Sequence, residues 1–371
     1  MNNSISSKNS QRVGFIDISK GLSIFLVVYS HCYVFDHCTA SLNTAFGIFR
    51  LPFFFLLSGI FFSTNRKILN YSIYKFDVLV KPFVFMVFII CICKTIISGS
   101  LSSPYGFFRM LYGTGNLIGW PWTAMWFLPH LWVIFVFSSA IFKAIGHDKQ
   151  SKSTMFLIAF TLMIIGSYAI KLFWNIDVNV LGVRIKFSGL PFSTDLVLFS
   201  SSYFILGHTL KEHILIFRPN NILFILGCLF ISVSTYYFGA QIDLNMRVIN
   251  NPILAIASSL IGIYCALTLA HHISRLAYIN KLFLLAGSYS LYILIFHGFI
   301  YFLIRKALGE SLSNLGQLIA FLASCTLPIL IGIMISKNAL LSLFFKPLIT
   351  NKLGQLNKGG TTQNLPTRLL E

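Results

Sequence analysis

The chain has 371 residues, of which 56% are hydrophobic and only 10% charged, with a formal net charge of +18. Charged residues make up about a quarter of an ordinary soluble domain, so this composition excludes a water-exposed globular fold. Nucleic acid is excluded as the natural partner too. The cations sit mostly in short segments between apolar runs, where they act as an orientation signal and weakly attract anionic lipid.

Apolar stretches of about 20 residues, enough to cross about 30 Å of hydrocarbon as a helix, recur along the chain. Helices satisfy their own backbone groups in lipid. The predicted fold is therefore an all-α integral membrane domain over residues 1–350, with about ten transmembrane helices and short loops. The spans are placed at 15–34, 45–63, 82–98, 122–142, 154–174, 193–210, 221–238, 252–272, 284–304 and 314–335. A polar leader, MNNSISSKNSQRVG, precedes the first span. That span has no small-residue cleavage pattern, so it reads as an anchor and not a removable signal.

The first span, FIDISKGLSIFLVVYSH, carries Asp17, Lys20 and His31. At about 100° per residue, Lys20 and His31 share one helix face, roughly 16 Å apart along the axis. Asp17 lies three residues before Lys20 and can pair with it. A buried histidine can be purely structural, but ionisable groups inside a span point to function by default, and the functional reading is favoured for His31.

The second span contains Arg50 in FRLPFFFLLSG, where it either faces the protein interior or snorkels outward. Pro52 frees a backbone carbonyl there, and Ser58–Gly59 permits close helix approach. Lys94 and Lys171 close their spans and read as snorkelling cations. The fourth span holds Trp126 and His130 around Pro129, and Trp126 fits an interfacial aromatic belt as well as a site. His208, His271 and His272 sit at span ends and read as interfacial. In the ninth span, GSYSLYILIFH, seven steps put Ser290 and His297 on one face, where a helix–helix hydrogen bond is the plain account.

The segment from Asn338 to Ile349 suits the inner membrane surface. Residues 351–371, polar and Gly-rich, read as a disordered cytoplasmic tail. With the N-terminus inside, the inner loops and tails take Lys8, Arg12, Arg66, Lys67, Lys75, Lys81, Lys143, Lys149, Lys152, Lys211, Arg218, Arg275, Lys281 and the C-terminal cations. The outer loops take only Arg109, Arg184, Lys186, Arg247, Arg305 and Lys306. That bias predicts both termini in the cytoplasm. Among the cysteines, Cys91, Cys93, Cys228, Cys265 and Cys325 fall in apolar runs as small core residues. Cys32 and Cys38 could meet near one face, though nothing compels a disulfide. No spacing suggests zinc, and no metal is expected.

Taken together, these pieces resemble the membrane acyltransferase-3 family, which includes fucose 4-O-acetylase-like proteins and O-antigen acetyltransferases. The resemblance runs from Arg12 to about Phe345. It rests on a basic residue followed after ten positions by histidine (Lys20 to His31), on LPFFFLLSG in the second span, on Trp126–Phe127–Leu128, and on the Gly287-to-His297 element. Many relatives carry an arginine pair before the third span. Here YKFDVLVKP offers Lys75 and Lys81, with Val78 in the second arginine's place, and lysine lacks the bidentate fork.

The resemblance implies an O-acyltransferase, multi-pass in a bacterial inner membrane. It would move an acyl group, most often acetyl, from cytosolic acetyl-CoA to a hydroxyl of a cell-surface polysaccharide or lipid-linked sugar. On that reading His31 is the general base, and an acyl-imidazole intermediate is the covalent variant. Arg12, Lys20, Lys75 and Lys81 form a basic rim for the CoA phosphates. Arg50 or the Trp126–His130 region orients acceptor or oxyanion, with Asp17, Ser290 and His297 in support. The competing class is a secondary transporter or glycolipid flippase, which also uses Pro-broken helices and buried charges.

Overall fold

The computed structural model describes residues 2–32, 36–63, 67–99, 104–146, 150–180, 183–309 and 312–348. The polar tail, the side chain of Arg12 and that of Cys38 lie outside the described residues. Helices α1 (Asn2–His31) and α2 (Asp36–Ile60) open the chain. Helix α3 (Ile68–Lys75) runs through a π-helical turn, Phe76–Val80, into α4 (Lys81–Ser98). After α5 (Pro104–Leu111) and α6 (Gly115–Ile118), a 3₁₀ turn at Thr123–Trp126 leads into α7 (Phe127–Ala144), and α8 (Lys152–Ala169) follows. Strands β1 (Trp174–Val180) and β2 (Val183–Ser188) form an antiparallel hairpin. A second 3₁₀ turn, Pro191–Leu196, leads into α9 (Val197–Thr209), α10 (Lys211–Leu215) and α11 (Asn221–Tyr236). A short hairpin, β3 (Gln241–Asp243) and β4 (Val248–Asn250), precedes α12 (Pro252–Ile273) and α13 (Ile279–Ser288). The chain closes with α14 (Ser290–Leu308), α15 (Asn314–Lys337) and α16 (Ala339–Phe345).

Among the described residues, seven helical stretches are long and apolar enough to cross a membrane. The remaining three expected spans are helical as well, but each differs from a simple lipid-facing span. Helix α1 carries Asp17, Lys20 and His31 within its apolar part. Helix α11 has 16 residues. Helix α9 has only 13 and is enclosed by protein, with Phe199 through Ile205 buried. Two of its three buried serines find partners there: Ser202 bonds back to the Phe199 carbonyl at 2.5 Å, and Ser200 meets His130 at 2.9 Å. The expected span at 284–304 is broken at Tyr289 into α13 and α14. The two outer hairpins are strand structure where short loops were expected.

Glycines set the two closest helix crossings. A Cβ at Gly21 would run into the Phe283 carbonyl of α13, and one at Gly287 into the Asp17 carbonyl of α1. The same reciprocity joins α2 to α9, where Gly59 faces the Phe204 carbonyl and Gly207 the Leu56 carbonyl. Without an aqueous drive between helices, such backbone proximity is how membrane helices gain packing energy. The Ser58–Gly59 expectation thus has a named partner, and α1 and α2 are held firmly against the bundle centre.

The segment from Asn338 to Ile349 was expected along the membrane surface; its described part, 338–348, is α16 followed by a strap. Lys81 Nζ pairs with Asp77 at 2.7 Å and donates to the Lys346 carbonyl at 2.7 Å, while Asp77 accepts the Leu348 amide at 2.6 Å. Phe344 stacks on Phe85 with centroids 4.1 Å apart, and Phe345 meets Tyr292.

Candidate active site

Offsets of four, seven and eleven residues return close to one helix face at 3.6 residues per turn, so Lys20, Ile24, Val27 and His31 form a stripe along α1. Two adjoining cavities follow it. The first, of about 90 Å³, is apolar and is bounded by Ile24, Val27, Leu51, Phe54, Leu79 and Leu294, among others, with Ser290 at its margin. The second, of about 230 Å³, shares Val27, Leu51, Phe127 and Leu294 with the first and is polar, with His31, Asn43, Arg50 and Asp243 on its walls. A small apolar cavity beside Ile24 and Val27 therefore adjoins the polar chamber at the His31 end of the stripe.

His31 is half-buried in that chamber. Its ring lies 5.3 Å from the His297 ring and 6.1 Å from that of Trp120, centroid to centroid. His297 is buried, and its Nδ1 lies 2.7 Å from the Ile293 carbonyl. A carbonyl only accepts, so Nδ1 carries the proton, and in the neutral ring Nε2 holds the lone pair. The bond is made within α14, which corrects the helix–helix hydrogen bond expected for the Ser290–His297 pair. Ser290 itself borders the apolar cavity.

Arg50 lines the chamber, donating to Asn43 Oδ1 at 3.0 Å, while Asn43 donates to the Ser30 carbonyl at 3.4 Å. It faces inward, which replaces the snorkelling alternative. Trp126 is 4% exposed and also lines the chamber, so it belongs to no interfacial belt. His130 sits one layer behind, tilted against Trp126 with centroids 5.4 Å apart and bonded through Nε2 to Ser200. It supports Trp126 from behind and does not line the chamber.

At the other end of the stripe, Lys20 lies 3.5 Å from Asp17 and 5.4 Å from the Phe61 ring centre, with a quarter of its side chain exposed. Lys75 rests over the Phe135 ring at 4.3 Å. Lys81, expected in an anion-holding rim, is bound to Asp77 and the C-terminal strap instead. Cys32 is a buried free thiol.

Other residues around the chamber escaped the sequence reading. Trp120 reaches His31 because Gly298 on α14 lets the Pro121 carbonyl approach closely. Asp243, Leu244 and Asn245, in and just after β3, line the chamber from above. Arg247, counted as an outer-loop cation, is fully buried: Nε and Nη2 lie 2.9 and 3.2 Å from the Asp195 carboxylate oxygens, and the guanidinium sits 4.8 Å from the Trp174 ring centre. Tyr112 adds to this outer assembly by donating to the Gly189 carbonyl at 2.8 Å. Burial and the Asp195 charge raise its phenol pKa above the ordinary value, so it stays a donor.

A family model described as an acyltransferase domain matches residues 13–337. The chain belongs to the acyltransferase-3 family. It is a membrane acyltransferase. No curated protein and no solved structure matches it. The family match covers all four elements that carried the resemblance, and it spans both cavities and the β3–β4 hairpin that lines the chamber.

Proposed function

We propose that this acyltransferase moves acetyl from cytosolic acetyl-CoA to a hydroxyl of a cell-surface polysaccharide or lipid-linked sugar, with His31 as general base. The observation that carries the reading is the polar His31 chamber with an apolar cavity adjoining it along the α1 stripe. The Lys20 end faces the cytosol, as the loop charges favour. Lys20, held only loosely by Asp17, attracts the CoA phosphates, with Arg12 and Lys75 as further cations of the inner rim. The adjoining apolar cavity takes the acyl-bearing arm, and the thioester carbonyl arrives beside His31.

His31 accepts the proton of the acceptor hydroxyl as its oxygen attacks the thioester carbon. The C–S bond then breaks, and the CoA sulfur takes up the proton as it leaves. Arg50 faces the same space and is suited to the oxyanion that develops on the carbonyl oxygen. Trp126 and Trp120 offer flat apolar faces of the kind that pack against a sugar ring.

The test is transfer of labelled acetyl from acetyl-CoA to glycan by the purified protein. His31→Gln should fold and insert normally yet lose about a hundredfold or more of the transfer rate. Undiminished transfer by His31→Gln would sink the assignment. A protein that moved glycan between vesicle leaflets without consuming acetyl-CoA would be a transporter.

A further inference from the structure

The outer roof of the chamber is built around a charge that the proposed chemistry does not use. Arg247 has no exposed surface and lies directly after the tip of the β3–β4 hairpin, at a positive φ of 53°. Its Nε and Nη2 grip Asp195, and its Nη1 donates to the Asn245 carbonyl at 3.0 Å. Asp195 also accepts the Leu190 amide at 3.0 Å. One guanidinium thus ties the hairpin to the turn that starts α9, and Trp174 covers it.

The same hairpin carries Asp243 and Asn245 into the chamber that holds His31 and Arg50. Asp243 Oδ1 accepts the Met246 amide at 3.0 Å, which fixes the carboxylate in the turn. The side-chain oxygen of Asn245 is buried with no hydrogen-bond partner in the protein. A buried polar atom of that kind is rare in native structures unless something else satisfies it. Asn245 also packs where a Cβ on Gly115 would collide with it, so the hairpin is seated on α6 as well as on Asp195.

Resting on the acyl-transfer reading above, we infer that the β3–β4 hairpin is the acceptor-selecting roof of the His31 chamber. Asp243 and Asn245 are its recognition groups, and the Arg247–Asp195 pair are positioning residues. Both recognition groups carry hydrogen-bond acceptors, so the roof suits a group that offers hydroxyl donors, with Arg50 in the same chamber balancing the Asp243 charge. The donor arm belongs to the apolar cavity, which the hairpin does not border. Moving the roof therefore changes how the acceptor binds and leaves the donor alone.

The experiment uses the full chain in nanodiscs, with labelled acetyl-CoA as donor and de-O-acetylated glycan extract from a host lacking the protein as acceptor. Arg247→Lys keeps the charge but loses the two-pronged grip on Asp195. Asn245→Ala keeps the ion pair but removes the unpaired oxygen. Each variant should raise the half-saturating extract concentration about tenfold or more, the scale expected when a reacting group is misplaced by a fraction of an ångström to one ångström. The KM for acetyl-CoA should stay unchanged. Arg247→Lys, unlike Asn245→Ala, should also speed deuterium exchange of the amides at 241–250. If extract and acetyl-CoA dependence shift together, or neither shifts, the roof assignment is overturned while acyl transfer stands. A wild-type chain that transfers no acetyl overturns the acyl-transfer reading itself.

Discussion

Two acid-paired cations in this molecule are held in opposite ways. Lys20 lies 3.5 Å from Asp17, with side chains 25% and 21% exposed, whereas Arg247 lies 2.9 Å from Asp195 with both side chains sealed. A sealed guanidinium whose three nitrogens all bond to protein offers a ligand no way in, and removing its partner strands a charge in low dielectric. A loosely paired, partly exposed ammonium keeps donors free and gives up little when its partner moves. In a membrane protein, then, an intramembrane charge is not by itself a ligand site. How completely its partners saturate it separates scaffold from site.

That contrast can be broken most sharply at Asp195. Replacing it with Ala should cost about 3–5 kcal/mol, because Arg247 is left buried without its counter-ion, and thermal unfolding in detergent would register the loss. A stable Asp195→Ala protein would mean water reaches the guanidinium. Next in size are the glycine crossings. Gly207→Ala drives a methyl into the Leu56 carbonyl and should destabilise by about 1–3 kcal/mol, the usual range for overpacking. An unchanged melting temperature would show that α2 and α9 can separate.

At Lys20 the effect should appear in binding. Lys20→Met should leave the melting temperature almost unmoved and raise the KM for acetyl-CoA about tenfold, the worth of one charge-assisted hydrogen bond. A large stability loss would place Lys20 with the scaffold. The smallest effect belongs to Lys152 and Glu212, which join α8 to α10 at 2.7 Å in full solvent. The hydrogen bond and charge of Lys152 lower the Glu212 pKa, so the pair is present at neutral pH and weakens as pH falls through that lowered value. Exposed pairs of this kind contribute little, and Lys152→Ala should not shift the melting curve.

The α1 stripe was legible because it is local: eleven residues of one helix decide which side chains share a face, whatever surrounds them. Arg50 and Trp126 were only half legible. Each sits in an apolar string that fits both an interior position and a membrane boundary, and only the neighbouring helices separate the two. Arg247 does sit in a loop, the β3–β4 turn, but its burial was not legible because its partner lies 52 residues earlier. Lys81 was read as part of an anion-holding rim, yet its second partner is the Lys346 carbonyl, 265 residues away. The β3–β4 hairpin was missed for a related reason, since its strands have only three residues each and rest on α2 and α12.

Composition and helical periodicity settle, without any structure, that the chain is a helical membrane protein and that His31 and Lys20 share one side of its first helix. Both follow from lipid's refusal of unpaired backbone groups and from the pitch of a single helix. Which charges are sealed and which stay open, and what roofs the His31 chamber, emerge only in three dimensions. Those outcomes depend on side chains far apart in the chain meeting across helix crossings, where saturation of hydrogen bonds is a property of the neighbourhood and not of the residue.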